Sequence, residues 1–309
     1  MAELLYQRDI YGKTLIELGK KNEDIVVLDA DLSGSTRTSF FAKEFPERFF
    51  NFGVAEQNMM ATAAGFASCG KTVFASTFAM FATGRAWDQV RNTICYNNFN
   101  VKIVATHAGI TVGEDGSSHQ ALEDIALMRI IPNMKIIVPC DGPQTRDAVI
   151  TAAKLPGPFY IRLGRAKFAT IEGKKEFEFG KAEILRDGSD VTMVACGLMV
   201  KYVLDASDLL AKEGVKSRVI NLHTIKPLDK NTLIEAANQT HRIVVCEEHS
   251  SNAGLACCIE EIIAQDRQAK FARVGIKNQF GQSGSPKELL EEYGLTSQYI
   301  VEAAHSLFS

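Results

Sequence analysis

The feature that most constrains the fold is an alternation of short apolar runs with helical patterns, which begins near residue 24. The runs are rich in Val, Ile and Phe and are too short for helices, so they indicate buried strands. Strands buried in this way and separated by helices predict a parallel sheet covered on both faces, which is a doubly wound α/β domain. The six runs of this first part are 24–30, 48–54, 71–77, 101–107, 134–140 and 158–164, and helical patterns fill 55–68 and 80–94.

A charged, glycine-punctuated stretch at 170–190 interrupts the alternation and predicts a linker or a domain-opening hairpin. A chain of 309 residues exceeds the size at which one hydrophobic core stops growing, so two domains are expected. We place them at 1–172 and 173–309, the second being a smaller α/β domain. Its strand patterns are 191–197, 216–222, 242–248 and 271–277, and its helical patterns are 200–213, 229–238 and 254–265.

Unusual polar and aromatic residues follow several of the predicted strands. In open parallel sheets, ligands bind beyond the carboxyl ends of the strands, where loops and helix N-termini gather. The residues at those junctions are Asp31–Ser35, Glu56, Phe78, 107–119 and Arg165. Their shared position predicts one ligand site at that edge of the sheet.

Glu56 stands where a strand passes into an Ala-rich helix that we expect to be buried. Burial would disfavour the ionised carboxylate unless a ligand nitrogen or a cation shares its proton. An equally simple role is that of a first-turn acid favoured by the helix dipole. The residues alone leave both roles open.

Phe78 and Phe81 are three residues apart at the next junction and can share one face. They could stack on a flat heterocycle, although core packing is the commoner use of such a pair. The polar loop ATHAGITVGEDGSSHQ follows the fourth strand and contains His107, Asp115 and His119. Each histidine alone is typical of a structural residue, but together with an acid they supply the donors and acceptors that hydroxyl groups need.

Charge and motif content exclude several functions. A net charge of -3 provides no broad positive field, which argues against nucleic acid as the main partner. The sequence shows no apolar stretch typical of a membrane span and no signal-peptide pattern, so we expect a cytoplasmic protein that does not bind membranes. The stretch Gly12–Thr14 lacks the leading glycine of a P-loop, and no glycine-rich dinucleotide motif follows the first strand.

Taken together, the junction segments resemble the C-terminal half of transketolase over essentially the whole chain. The segments that carry the resemblance are DADLSGS (29–35), GVAEQNM (53–59), STFAMF (76–81), the loop 105–120, RLGR (162–165) and KPLD (226–229). The resemblance implies a pyrimidine-binding domain of a thiamine diphosphate enzyme over 1–172, followed by the transketolase C-terminal domain over 173–309. It also implies the transfer of a two-carbon ketol unit from a ketose, or its phosphate, to an aldose.

The resemblance assigns roles to individual residues. Glu56 would face N1′ of the cofactor's aminopyrimidine as a catalytic acid, and Phe78 and Phe81 would stack on that ring. His107 and His119 would be catalytic and bind substrate hydroxyls or the developing oxyanion, and Asp115 would fix a donor hydroxyl. The phosphate-binding positions are Arg8, Ser35 and Arg165, and Asp31 falls in the cofactor-binding network at the subunit boundary.

Two positions and one motif depart from the family pattern. Gly84 stands where many transketolases place a third aromatic, and Asn58 stands where related synthases carry histidine. The chain contains no Gly-Asp-Gly, the motif that holds Mg²⁺ and the diphosphate in such enzymes. The resemblance therefore implies no metal ligands on this chain and a partner, the transketolase N-terminal subunit, that supplies them in an α2β2 assembly.

Three alternatives remain open. The chain could be the β subunit of a 2-oxoacid dehydrogenase E1 component, although the run GEDGSSHQ favours transketolase. It could also be a 1-deoxyxylulose-5-phosphate synthase-like chain, or a non-catalytic subunit that stabilises a catalytic one. Branched or sulfonated sugars are possible substrates. In the second half, Glu247, Glu248 and His249 follow a strand pattern, and we expect them to lie at a solvated strand end.

Overall fold

The computed structural model describes residues 3–173, 176–264 and 269–309. Its strands, numbered in chain order, are β1 (Leu4–Tyr6), β2 (Ile25–Asp29), β3 (Phe49–Asn51), β4 (Thr72–Phe78), β5 (Val101–Thr106), β6 (Lys135–Ile137), β7 (Phe159–Arg162), β8 (Lys167–Ala169), β9 (Glu183–Arg186), β10 (Val191–Ala195), β11 (Ser217–Asn221), β12 (Thr224–Lys226), β13 (Arg242–Ser250) and β14 (Lys270–Ile276). Its α-helices are α1 (Gln7–Lys21), α2 (Ser33–Thr36), α3 (Ser39–Glu44), α4 (Glu56–Ser68), α5 (Asp124–Arg129), α6 (Gly142–Lys154), α7 (Met199–Lys212), α8 (Lys230–Thr240), α9 (Leu255–Ile263), α10 (Pro286–Glu292) and α11 (Ser297–His305).

The first sheet has seven strands in the order β12-β6-β7-β5-β4-β2-β3. The six strands predicted from the apolar runs all pair in parallel. Strand β2 is buried along its whole length, and its residues alternate between the two faces: Ile25 and Val27 lie in one apolar cluster, Val26 and Leu28 in another. Apolar cores therefore cover both faces of this sheet, and the predicted α/β fold is confirmed.

The second sheet has five strands in the order β14-β13-β10-β11-β9. Its four predicted strands pair in parallel, and β9 adds an antiparallel edge next to β11. In the described part of the stretch 170–190, β9 pairs with β11 and not with β8 or β10, which are its neighbours in the chain, so this part does not form the predicted hairpin. Residues 174, 175 and 265 of our predicted segments lie outside the described residues.

The two sheets share one apolar cluster. Val194, Ile220 and Leu255 of the second half belong to the same apolar cluster as Leu28 and Ala75 of the first sheet. Strand β12 extends the first sheet by pairing antiparallel with β6. The boundary between residues 172 and 173 stays a prediction, but the second half clearly packs against the first rather than hanging from a linker.

The helix predicted over 80–94 takes a different form. It consists of two segments of wide, π-type turn, Phe81–Arg85 and Gln89–Cys95. Such turns are rare and often occur at functional sites. Among the described residues, no helix is both long and apolar enough to cross a membrane.

Candidate active site

Four rings meet where β4 and β5 end. The two strands pair so that Phe78 lies opposite Thr106, and His107 follows directly with a φ of 57°. The His107 ring stacks on Phe78 with 3.8 Å between centroids and 21° between planes. Phe81 stacks on the Phe78 ring at 6.0 Å, and His119 approaches Phe78 and Phe81 edge-on at 6.2 and 5.4 Å. The structure therefore brings together both aromatic residues and both histidines that the sequence singled out.

The His107 imidazole is held in its neutral form. The residue is 2% exposed, and Nδ1 lies 2.8 Å from the Thr106 hydroxyl. Burial, followed by the positive charges of Arg8 and Arg165, lowers the pKa of His107 to about 3. A neutral imidazole can exchange hydrogen bonds with a hydroxyl, whereas a charged one can only donate.

Glu56 begins helix α4 and is 1% exposed. Both of its carboxyl oxygens accept from Nη1 of Arg85, at 2.9 and 2.8 Å. The Arg85 guanidinium also lies over the Phe81 ring, 4.6 Å from its centroid, while its side chain is 47% exposed. A buried Glu56 was expected to meet a ligand nitrogen or a cation, and in the structure the cation is Arg85. The sequence did not lead us to Arg85, although it lies four residues after Phe81.

A basic pocket lies beside these rings. It has a volume of about 320 Å³ and is lined by Tyr6, Arg8, Thr111, Glu114, Arg165 and Lys167, among others. Arg165 donates through Nη1 to the Val112 carbonyl and to the Glu114 carboxylate, both at 2.6 Å. Burial and neighbouring Arg37 lower the pKa of Arg8, which shows how concentrated the positive charge is. The pocket is suited to an anionic group of a ligand.

The remaining predicted residues lie at the edges of this arrangement. Ser35 is in helix α2, where its carbonyl accepts from Arg8 Nη1 at 3.4 Å. Asp115 is exposed and ends the turn Ile110–Asp115 of the polar loop, whose first four residues are buried. Asp31 is an exposed turn residue with a φ of 64°, and its N–H donates to the Asn51 side chain. Its neighbour Asp29 is the buried acid of this turn, and burial raises the pKa of Asp29 to about 6.

Comparison with known protein families agrees with this geometry. Residues 5–170 match the model of the transketolase pyrimidine-binding domain, and residues 180–300 match that of the transketolase C-terminal domain. The chain belongs to the transketolase family. It corresponds to the C-terminal half of a transketolase, as the resemblance implied.

Individual relatives cover nearly the whole of this transketolase-family chain. A putative transketolase C-terminal section of Methanocaldococcus jannaschii is 51% identical, with 94% of this chain and 93% of that protein aligned. A 6-deoxy-6-sulfo-D-fructose transketolase subunit of a Clostridium species is 39% identical over 97% of this chain and 94% of its own length. A split gene transketolase solved as an inactive beta4 tetramer is 49% identical, with a TM-score of 0.90 and 98% of each chain covered.

The transketolase-family chain also contains a buried polar group that the sequence did not lead us to expect. Glu247, Glu248 and His249 are 1%, 3% and 0% exposed within β13, so the prediction of a solvated strand end is wrong. The reason is that the first half packs over the end of this strand, where Arg162 donates to the Glu248 carbonyl at 2.8 Å. Arg162 also donates to Asp124 at 2.8 Å, so its buried charge is paired within the first half while its bond to Glu248 joins the two halves.

Proposed function

We propose that this chain is the C-terminal subunit of a split, thiamine diphosphate-dependent transketolase that transfers a two-carbon ketol unit between sugars or sugar phosphates. The observation that carries the proposal is the buried Glu56 carboxylate beside the stacked Phe78–Phe81 pair, with the half-exposed Arg85 as its ion-pair partner. A carboxylate next to aromatic faces suits a protonated or hydrogen-bonding heterocycle. These residues therefore fit the aminopyrimidine half of the cofactor.

When bound, thiamine diphosphate supplies the thiazolium carbon that carries the ketol unit. Glu56 would hold the pyrimidine by a hydrogen bond at its ring nitrogen, once Arg85 has swung away through the solvent-exposed side. Phe78 and Phe81 would keep water from that ring. Neutral His107, and His119 edge-on to the same Phe78 ring, would exchange hydrogen bonds with substrate hydroxyls.

The diphosphate and Mg²⁺ need other ligands. Because the sequence has no Gly-Asp-Gly, we propose that both are bound by an N-terminal transketolase subunit, in an α2β2 assembly in the cytoplasm. The basic pocket around Arg8 and Arg165 would bind the terminal anion of the sugar, with Ser35 beside it, and Asp115 would fix a hydroxyl. Asp31 would lie in the cofactor-binding network at the subunit boundary.

The central test is ketol transfer by the chain alone and together with its N-terminal partner, both supplied with thiamine diphosphate and Mg²⁺. Activity is expected only in the mixture. Activity of the isolated chain would contradict the split arrangement, and an inactive mixture in which the second chain binds cofactor would favour a stabilising subunit.

Glu56→Gln tests the role of the carboxylate. In the assembled enzyme it should slow exchange of the cofactor's C2 proton by about 10²-fold or more, because a positioned acid or base contributes that much. Glu47→Gln is the control, since Glu47 lies at the surface beside Arg48. Equal exchange rates in the two variants would remove Glu56 from the mechanism.

Arg165→Ala tests the anion pocket. It should raise the KM of a phosphorylated donor by about 10- to 100-fold, because a hydrogen bond to a charged group is worth roughly 1.5–3 kcal/mol. The KM of the unphosphorylated donor should change little. Arg146→Ala, at an exposed ion pair with Glu17, is the control. An equal rise for both donors would contradict an anion-binding role.

A further inference from the structure

We propose that Glu248, in the second half of the chain, is a positioning residue that fixes the substrate loop, which we define as residues 107–120. This inference rests on the proposed function, because the loop carries the two histidines and the acid assigned to the sugar. It gives the C-terminal domain a role in substrate binding, although the four clustered rings, Phe78, Phe81, His107 and His119, all belong to the first half.

The Glu248 carboxyl group contacts the start of the loop directly. It is buried, and Oε1 accepts a hydrogen bond from the backbone N–H of Thr111 at 2.7 Å. The same carboxyl group lies so close to Gly109 that a Cβ on this glycine would overlap its carbon and both of its oxygens, and Gly109 also has a φ of 83°. Only glycine fits such a position, so loop and carboxylate are matched in shape.

The backbone of Glu248 is also linked, through Arg162, to helix α5, which follows the loop. Its carbonyl accepts from Arg162 Nη2 at 2.8 Å, and Arg162 Nε donates to Asp124 Oδ2 at 2.8 Å. The Tyr160 hydroxyl donates to the same carboxyl oxygen at 2.6 Å. All four side chains are buried. Glu248 thus contacts the loop itself at Thr111 and, through Arg162, is linked to helix α5, which follows the loop.

A second tether comes from the same half. The Gln120 amide, at the end of the loop, donates to the Gln282 carbonyl at 2.9 Å and to the Ile110 carbonyl at 3.2 Å. Ile110 and Leu122, which flank the turn, lie in the apolar core that the second half builds around Leu289. The C-terminal domain therefore contacts the loop at both of its ends, in addition to the bonds that Leu163 and Arg165 of the first half make with it.

Such bracing matters because hydrogen bonds to a substrate require side chains held within about 0.5 Å of the productive geometry. The loop is polar and glycine-rich, and it has no sheet partner except one bridge between Ala108 and Ala121. Without the bond from Thr111 to Glu248, the turn that separates His107 from His119 loses its buried anchor. Donor binding should suffer, whereas the pyrimidine side around Glu56 should not.

Glu247 provides a matched control. It is adjacent on β13 and equally buried, and its carboxyl oxygens accept from two backbone N–H groups, those of Leu255 and Ala256, at 2.6 and 3.0 Å. Those groups belong to helix α9 of the second half, so Glu247 does not contact the substrate loop. A change at Glu247 removes the same kind of bond and leaves the loop alone.

The experiment compares E248M and E248Q with E247M and E247Q. Hydrogen exchange of the isolated chain, followed by mass spectrometry, reports on the loop amides. Donor KM, kcat and C2-proton exchange are then measured in the assembled enzyme. For E248M we expect loop exchange and donor KM to rise by about 10-fold, the loss of one hydrogen bond to a charged group, with C2 exchange within about 2-fold of wild type. E248Q keeps an acceptor oxygen but loses the charge, so loop exchange and donor KM should rise by a smaller factor, about 3-fold, and stay above those of E247Q.

The Glu247 variants should leave loop exchange and donor KM unchanged. Equal effects at the two positions, or wild-type loop exchange in E248M, would overturn the inference. If E248M does not fold, faster loop exchange in E248Q than in E247Q supports it, and equal exchange overturns it. If the wild-type assembly shows no ketol transfer, the proposed function fails, yet exchange in the isolated chain still decides whether Glu248 holds the loop.

Discussion

Acidification should destabilise the folded chain through His107, because this ring accepts a proton readily in the unfolded chain but not in the folded one. The pKa of this group is lowered from 6.5 to about 3, first by burial and then by Arg8 and Arg165. Between pH 6.5 and 3 the unfolded chain binds a proton at this ring that the folded chain does not, so the free energy of unfolding decreases as the pH falls through that window. At pH 5, which is about 1.5 units below the pKa of 6.5 in the unfolded chain, this group has lowered the free energy of unfolding by about 2 kcal/mol.

His107→Asn removes this titration. Asparagine is the suitable replacement because it tolerates the left-handed backbone that His107 adopts at a φ of 57°. Urea unfolding at pH 8 and at pH 5 should show that the wild type loses about 2 kcal/mol more than the variant on acidification. Other titrating groups are common to both chains and cancel in this difference.

NMR of the imidazole carbon provides the direct check. His107 should stay neutral throughout pH 5–8. Any decrease of kcat/KM at acid pH in the assembled enzyme should therefore be the same in the wild type and in His107→Asn. A ring that titrates near pH 6.5, or an identical pH dependence of unfolding in the two chains, would refute the reasoning. The consequence for function is that His107 acts by hydrogen bonding as a neutral group rather than as a cation.

Two further predictions concern buried contacts of Arg162 and Gly109, both of which adjoin Glu248 of the second half. Asp124→Asn should lower the free energy of unfolding by about 3 kcal/mol, measured by thermal or urea unfolding, because Arg162 stays buried without its counter-charge; Glu17→Gln, at an exposed pair, should cost less than about 1 kcal/mol. Gly109→Ala should cost more than Gly70→Ala in the same assay. Both glycines have a φ near 84° but only the first would overlap a neighbouring group, so equal costs would contradict the close contact.

Much of the candidate site could be located from the sequence. The end of each strand is marked by the end of an apolar run, and parallel strands place their carboxyl ends on one edge, so Phe78 and His107 had to lie near each other. Glu56 at the start of an Ala-rich helix followed from the same pattern. These inferences depend on local periodicity, which each segment carries by itself.

Other features could not be found in this way. The partner of Glu56 depends on how the π-type turn after β4 directs Arg85, and Asp31 proved to be exposed while Asp29 is the buried acid. Asp29 is the last residue of the buried strand β2, whereas Asp31 lies in the turn beyond it, and sequence periodicity does not resolve a boundary to two residues.

The sequence by itself therefore determined the α/β class, the parallel strands of both sheets, the edge that holds the candidate site and the family. Only the tertiary structure decided that β12 joins the first sheet and that Glu248 lies against Gly109 and Thr111. The physical reason is range. Strand and helix patterns arise from neighbours in the chain, whereas the contact of Glu248 with the substrate loop joins positions 137 residues apart and exists only when the two halves are packed together.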